Sequence, residues 1–240
     1  MIRRNGEGIA AILLDKDGTL TDFRATWEPW MARALRRLAE GDEARAARAG
    51  AAVGYDLARR SFARDALFVT APAARSAAAL AAALGRPAEA IAGWLSSAEA
   101  EAPQVPAAPI APLLDGLRAR GLRLGLLTND TEAGARAYLD GAGLSWRLDM
   151  VVAADSGWGA KPGCGGARAF AAAMRLPPRA VLVVGDGLAD MQAARGAGMR
   201  AVAVLTGAMD HAGLAPHAEA VLPNVADLPA WLDAPRGAAR

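Results

Sequence analysis

The chain has one cysteine, Cys164, and two histidines, His211 and His217, among 240 residues. A single thiol excludes an internal disulfide framework and any Cys-rich zinc site. Two histidines in one late loop suggest solvated or helix-terminal roles, not a metal cluster. Lysine is almost missing: of 27 basic residues only Lys16 and Lys161 are lysines. Aromatics make up 5%, and Trp27, Trp30, Trp94, Trp146, Trp158 and Trp231 are too scattered to stack a nucleic-acid strand. The net charge is +2, with no basic block to act as a nucleic-acid footprint. No uncharged apolar run approaches the ~18 residues of a membrane span. The run Ile9–Leu14 is too short for a signal peptide and leads straight into Asp15, Lys16 and Asp17. The expected setting is the reducing cytoplasm, with no membrane and no nucleic acid as partner.

What is present is a folding composition, 53% hydrophobic and 22% charged. The length suits one large domain or a core with an inserted module. Short apolar runs without helical period read as buried strands: Gly8–Asp15, Leu122–Thr128, Met150–Asp155, Val181–Asp186, Ala201–Thr206 and Ala220–Leu222. Helical patterns alternate with them at Ile110–Arg120, Thr131–Leu139, Gly165–Met174 and Leu188–Gly196, with Asn129 and Asp130 as N-cap candidates for the second. This alternation predicts an α/β fold with a doubly wound parallel sheet.

The stretch from Phe23 to Glu101 breaks the rhythm. Helix-like segments Trp27–Ala39, Asp42–Val53, Pro72–Leu84 and Pro87–Ala100 occur there without a convincing strand. The expected organisation is a core of residues 1–22 and 103–240 around an all-helical insert, 23–102. Hinges are expected at Phe23–Thr26 and in the proline-rich Pro103–Pro112.

Open parallel sheets bind ligands at the carboxyl ends of their strands. Those ends carry Asp15 and Asp17, then Thr128, then Asp186 and Asp190. Such a carboxylate group repels itself unless a cation sits within it. With so little Cys and His, the oxygen-rich set suits a hard ion, most simply Mg²⁺.

Four motifs in order carry a family resemblance. Asp15-Lys16-Asp17-Gly18-Thr19-Leu20, Leu127-Thr128-Asn129-Asp130, Lys161 within Gly159-Ala160-Lys161-Pro162, and Gly185-Asp186-Gly187-Leu188-Ala189-Asp190 resemble the motifs of the haloacid dehalogenase superfamily. The resemblance spans nearly the whole chain and looks nearest to the phosphoglycolate-phosphatase-like branch, in which a helical cap often follows the first motif. It implies that Asp15 attacks phosphorus to form an aspartyl-phosphate and that Asp17 exchanges protons with the leaving group and water. It implies Mg²⁺ held by Asp15, the Asp17 carbonyl and Asp186. Thr128 and the Asn129 backbone N–H would hold phosphate oxygens, and Lys161 would balance Asp15 and the phosphate. Asp190 would either coordinate through water or orient Lys161, and Gly18 would admit close phosphate approach. The superfamily's dehalogenases lack the second aspartate and use no metal, so Asp17 and Asp186 argue against dehalogenation.

The expected activity is Mg²⁺-dependent hydrolysis of a small phosphorylated metabolite, of the phosphoglycolate or sugar phosphate type. Alternatives are a phosphoglucomutase-like phosphotransferase and a non-catalytic binding protein. Lys16 is expected to point away from the reacting centre, because neighbours on an extended chain alternate sides. Arg59 and Arg60 are candidates for an acidic substrate tail, or a solvated face. Gly196-x-Gly198-x-x-Ala201 precedes a strand instead of following one and reads as a turn.

Overall fold

The computed structural model describes residues 5–235 apart from residues 7, 64, 72, 100 and 101. In chain order the elements are β1 (Ala11–Leu14), α1 (Phe23–Leu38), α2 (Glu43–Ala52), β2 (Tyr55–Asp56), β3 (Ser61–Phe62), α3 (Leu67–Thr70), α4 (Ala73–Leu84) and α5 (Ala88–Glu99). There follow α6 (Ile110–Ala119), β4 (Arg123–Leu127), α7 (Glu132–Gly141), β5 (Met150–Val152), α8 (Gly165–Met174), β6 (Val181–Gly185), α9 (Leu188–Ala197), β7 (Arg200–Val204), α10 (His211–Leu214), β8 (Val221–Leu222) and α11 (Leu228–Asp233). The chain divides into two compact units, Met1–Asp22 with Pro106–Arg240, and Phe23–Val105.

In the first unit, six strands among the described residues form one sheet, in the order β5-β4-β1-β6-β7-β8. Its strand pairings among the described residues are all parallel. The fold is thus the doubly wound α/β sheet that the alternating pattern predicts. The continuous apolar runs follow from burial on both faces. β1 shows the division: Ile12 and Leu14 face one hydrophobic cluster, Ala11 and Leu13 the other. β6 and β7 divide in the same alternation, Leu182, Val184, Val202 and Val204 on one face and Val181, Val183, Ala201 and Ala203 on the other. The first face is covered by Leu113, Leu114 and Leu117 of α6, Leu139 of α7 and Leu228 of α11. The second is covered by Phe170 of α8 and by Met191 and Ala194 of α9. Gly125 in β4 leaves space for the Phe170 ring, which a Cβ there would overlap.

The helix that follows β4 is capped by Thr131, whose hydroxyl accepts from the Gly134 N–H. That corrects the expectation of Asn129 or Asp130 as the cap; both are used elsewhere, as described below. The predicted turn at Gly198 is the left-handed end of α9, with φ of 74°.

The second unit holds α1 to α5 and, besides its helices, the two-residue antiparallel pair β2–β3. Strands this short leave no period to read. The unit's apolar interior uses much of the chain's scarce aromatic content. Trp27 and Trp30 meet edge to face at 5.4 Å, and Phe62 stacks on Phe68 at 5.3 Å. The Trp30 indole N–H donates to the Ala98 carbonyl at 2.9 Å. The segment Phe23–Thr26, expected as a hinge, is the first turn of α1, and the Thr26 hydroxyl accepts from the Val105 N–H at 3.0 Å. The expected hinge Pro103–Pro112 contains the start of α6. Pro72 and Ala100, at the ends of two predicted helices, lie outside the described residues. Among the described residues, no helix is long and apolar enough to cross a membrane.

One polar contact ties the edge of the sheet. Asp149 accepts from the Leu124 N–H at 2.8 Å, Arg123 at 2.8 Å and Arg118 at 3.3 Å. Burial alone would raise its carboxyl, but these donors hold it below the usual carboxylate value. A carboxyl lowered in the fold stabilises above its unfolded pKa and loses that contribution as pH falls through the folded value. Asp149→Ala should lower unfolding free energy by about 2 kcal/mol at neutral pH, read by urea denaturation. The difference from the parent chain should shrink below about pH 3; an equal loss at both pH values would assign the effect to packing.

Candidate active site

The sheet register assembles the site. Leu14 pairs with Leu126 on one side and Val184 on the other, so the chain segments leaving β1, β4 and β6 start side by side. Asp15 follows β1, Thr128 follows β4, and Asp186 follows β6. The Asp15 N–H still donates to the Val184 carbonyl at 2.9 Å, which fixes the aspartate at the strand end. Asp15, Thr128, Lys161 and Asp190 are all buried.

Lys161 arrives from the segment between β5 and α8. Its ammonium donates to Asp15 Oδ1 at 2.5 Å and to Asp190 Oδ1 at 2.6 Å. The second oxygen of Asp190 accepts from the Gly187 N–H at 3.1 Å at the start of α9. Both Asp190 oxygens therefore have donors. Asp190 thus contacts Lys161 directly while remaining within the acidic cluster.

Asn129 holds the same lysine by its backbone. Its side-chain oxygen accepts from the Lys161 N–H at 2.8 Å, and its amide donates to the Lys161 carbonyl at 3.0 Å. The sequence reading gave Asn129 a role through its backbone N–H and did not anticipate this two-point clamp. The Thr128 hydroxyl accepts from the Asp130 N–H at 3.1 Å and keeps its own proton for donation.

The acidic set fits a hard cation. One oxygen from each of Asp15, Asp186 and Asp190 lies within 4.8 Å of the others, against the single ammonium of Lys161. All three donors are oxygens, the chemistry Mg²⁺ prefers. The surplus of negative charge shows in the carboxyls. Burial pushes Asp15 up to about 7; Lys161 opposes this, and Asp190 and Asp17 add to it. Asp186 is also raised well above the usual carboxylate range, by burial and then by Asp15 and Asp190. Lys161 is raised although its burial acts the other way, because Asp15 and Asp190 favour its charge.

Glycines close the walls around Asp186. Gly18 has φ of 81°, and a Cβ at either Gly18 or Gly207 would overlap the Asp186 carboxyl. The Thr206 hydroxyl donates to the Gly18 carbonyl at 2.7 Å, binding the first motif to the end of β7. Thr206 and Gly207 were missed in the sequence, where the only signal was their place after an apolar strand.

The Asp17 carboxylate is not part of the cluster of Asp15, Asp186 and Asp190. It is partly exposed and pairs with Lys16 at 3.1 Å; Lys16 also pairs with Asp130 at 2.7 Å. Lys16 is buried, so both lysines of the chain are enclosed among carboxylates. Arg59 is exposed and lies 3.7 Å from Asp56 within the insert.

A carboxyl raised in the fold stabilises it at low pH and withdraws that stability as pH rises through the folded value. The metal-free protein should therefore lose thermal stability between about pH 4 and pH 8. Added Mg²⁺ should raise Tm more at pH 8 than at pH 5, where protons compete for the same oxygens. Differential scanning fluorimetry reads both; a Mg²⁺ shift independent of pH would count against a cation bound by these carboxylates.

Comparison with known proteins agrees with this geometry. The model of the haloacid dehalogenase-like hydrolase family matches residues 9–198. A phosphoglycolate phosphatase from Rhodospirillum rubrum is 36% identical over 124 residues, which is 52% of this chain and 52% of that protein. The match thus spans about half the length of that relative. Among solved structures, a predicted phosphoglycolate phosphatase from Haemophilus somnus superposes with a TM-score of 0.69 at 16% identity, covering 93% of this chain and 98% of the other. An L-2-haloacid dehalogenase from Xanthobacter autotrophicus superposes with a TM-score of 0.63 at 21% identity, covering 96% and 100%. The same fold thus carries both names, and the side chains of the site must discriminate between them.

Proposed function

The chain belongs to the haloacid dehalogenase-like hydrolase family, and on that premise we propose that it is a Mg²⁺-dependent phosphatase acting on a small phosphorylated metabolite. The substrate would be of the phosphoglycolate or sugar phosphate type, and the core of residues 1–22 and 103–240 would carry the chemistry. The observation that supports this most is the buried Asp15, held by Lys161 at 2.5 Å with Asp186 beside it. A nucleophilic carboxylate that must meet a dianionic phosphoryl group needs fixed positive charge at the point of attack, and the site provides it.

Phosphoryl transfer is mostly positioning and charge neutralisation. In this reading an Asp15 oxygen bonds to phosphorus as the ester P–O bond breaks, and the departing oxygen takes a proton from Asp17. Water then attacks the aspartyl-phosphate while Asp17 takes back a proton, which returns Asp15 and releases inorganic phosphate. Lys161 keeps Asp15 aimed and offsets phosphate charge, while the Thr128 hydroxyl and the Asn129 backbone N–H hold phosphate oxygens. Asp15, the Asp17 carbonyl and Asp186 would hold Mg²⁺, with Asp190 at the edge of the set through Lys161. When bound, the ion supplies positive charge against the phosphoryl oxygens. Asp17 and Asp186 argue against dehalogenation, since by the family resemblance the dehalogenases lack the second aspartate of the first motif and use no metal.

Asp15→Asn should lower phosphate release from p-nitrophenyl phosphate by about a thousandfold or more, with Tm kept within a few degrees. A rate within a few-fold of the parent would sink the nucleophile assignment. Chelation with EDTA should abolish turnover and Mg²⁺ should restore it. The phosphotransferase alternative predicts that a hexose phosphate gives a rearranged hexose phosphate and little free phosphate; equal molar release of phosphate and sugar supports hydrolysis.

A further inference from the structure

We infer that Lys16 is a positioning residue that sets the direction of the Asp17 carboxylate, an inference that rests on the acid–base role proposed for Asp17 above. The first motif places Lys16 between the nucleophile and Asp17, in a turn just past the end of β1. Its ammonium does not join Asp15. It reaches Asp17 Oδ2 at 3.1 Å and Asp130 Oδ2 at 2.7 Å, and lies 5.8 Å from the Tyr138 ring centroid. The side chain is only 5% exposed, so this ammonium is enclosed by its partners and not simply solvated.

The two partners differ in what they can do. Asp130 leads into α7, and its other oxygen accepts from the Thr131 N–H at 2.7 Å, so it is fixed to the core. Asp17 is partly exposed, and its other oxygen faces the Thr21 hydroxyl at 3.5 Å. The Lys16 bridge links this carboxylate to one fixed at the start of α7. Proton donation to a leaving oxygen needs a carboxyl within hydrogen-bond reach and correctly aimed, so the bridge limits where the proton can be delivered. The charge matters as much as the length, because an apolar side chain would fill the same space and remove the ion pairs that join Asp17 to Asp130.

The test uses two substrates that differ in how much they need a proton. A nitrophenolate departs readily without one, whereas an alkoxide does not. With the whole chain loaded with Mg²⁺, Lys16→Met should slow the single-turnover release of the leaving group from an alkyl phosphate such as phosphoglycolate by 10-fold or more, a reading that excludes the later water attack common to all substrates. The loss on p-nitrophenyl phosphate, read in the same way, should stay below about 3-fold. Lys16→Arg, which keeps the charge, should recover part of the loss on the alkyl substrate. Asp130→Asn loosens the anchor without touching the reacting atoms and should show the same substrate bias more weakly, which keeps the test decisive if Lys16→Met fails to fold. Equal losses on both substrates, or none on the alkyl one, would overturn the inference. Asp17→Asn serves as the reference: if it too shows no bias toward the alkyl substrate, the acid–base reading of Asp17 fails and not the positioning role alone.

Discussion

The ammonium of Lys161 between Asp15 and Asp190 is the interaction on which the site depends. Three carboxylates at one end of a sheet, two of them buried, would repel one another and draw protons. One cation within 2.5 and 2.6 Å of two of them makes the arrangement tolerable and fixes its geometry. The lysine is in turn secured by its backbone, through the Asn129 clamp, and Asp190 is secured by the first turn of α9. The chain thus spends polar contacts from four separate segments on orienting one aspartate. Asp186 lies outside the two ion pairs of Lys161, and under the proposed function its charge would be met by a divalent ion.

The sheet makes this convergence possible. β1 lies between β4 and β6, and all three run parallel, so their carboxyl ends open on the same side. Residues more than a hundred positions apart then meet without any local sequence signal. The apolar interior holds the strand ends in register: a β1 buried on both faces cannot slide without exposing Ile12, Leu13 and Leu14 together. Packing fixes the strands, and the strands place the charges.

How much of this was legible beforehand follows from range. The strands could be read because each is a continuous apolar run, and the first four end in polar or acidic residues that mark the site edge. Asp15, Thr128, Lys161 and Asp186 could be singled out because their motifs occur in order. The pairing β2–β3 could not be read, since two residues make no period. The capping role of Thr131 was hidden by two equally good candidates just before it. The Asn129 clamp and the Gly207 wall were invisible for another reason: each depends on a partner that only the tertiary fold supplies.

The two lysines show how composition and geometry bear on each other. Arginine does nearly all the cationic work in this chain, including the surface pairs such as Arg120 with Asp233 and Arg36 with Glu43. A guanidinium presents a flat fork that suits one carboxylate approached edge-on. Lys161 must touch Asp15 and Asp190 from a confined position, and Lys16 must touch Asp17 and Asp130 in the same manner. A compact ammonium with donors pointing in different directions satisfies two carboxylates at once. Where the background favours arginine so strongly, lysine persists at the two buried points that require a small, branching point charge. Under the proposed function its scarcity becomes a map of the site: each lysine contacts an acid to which that reading gives a role.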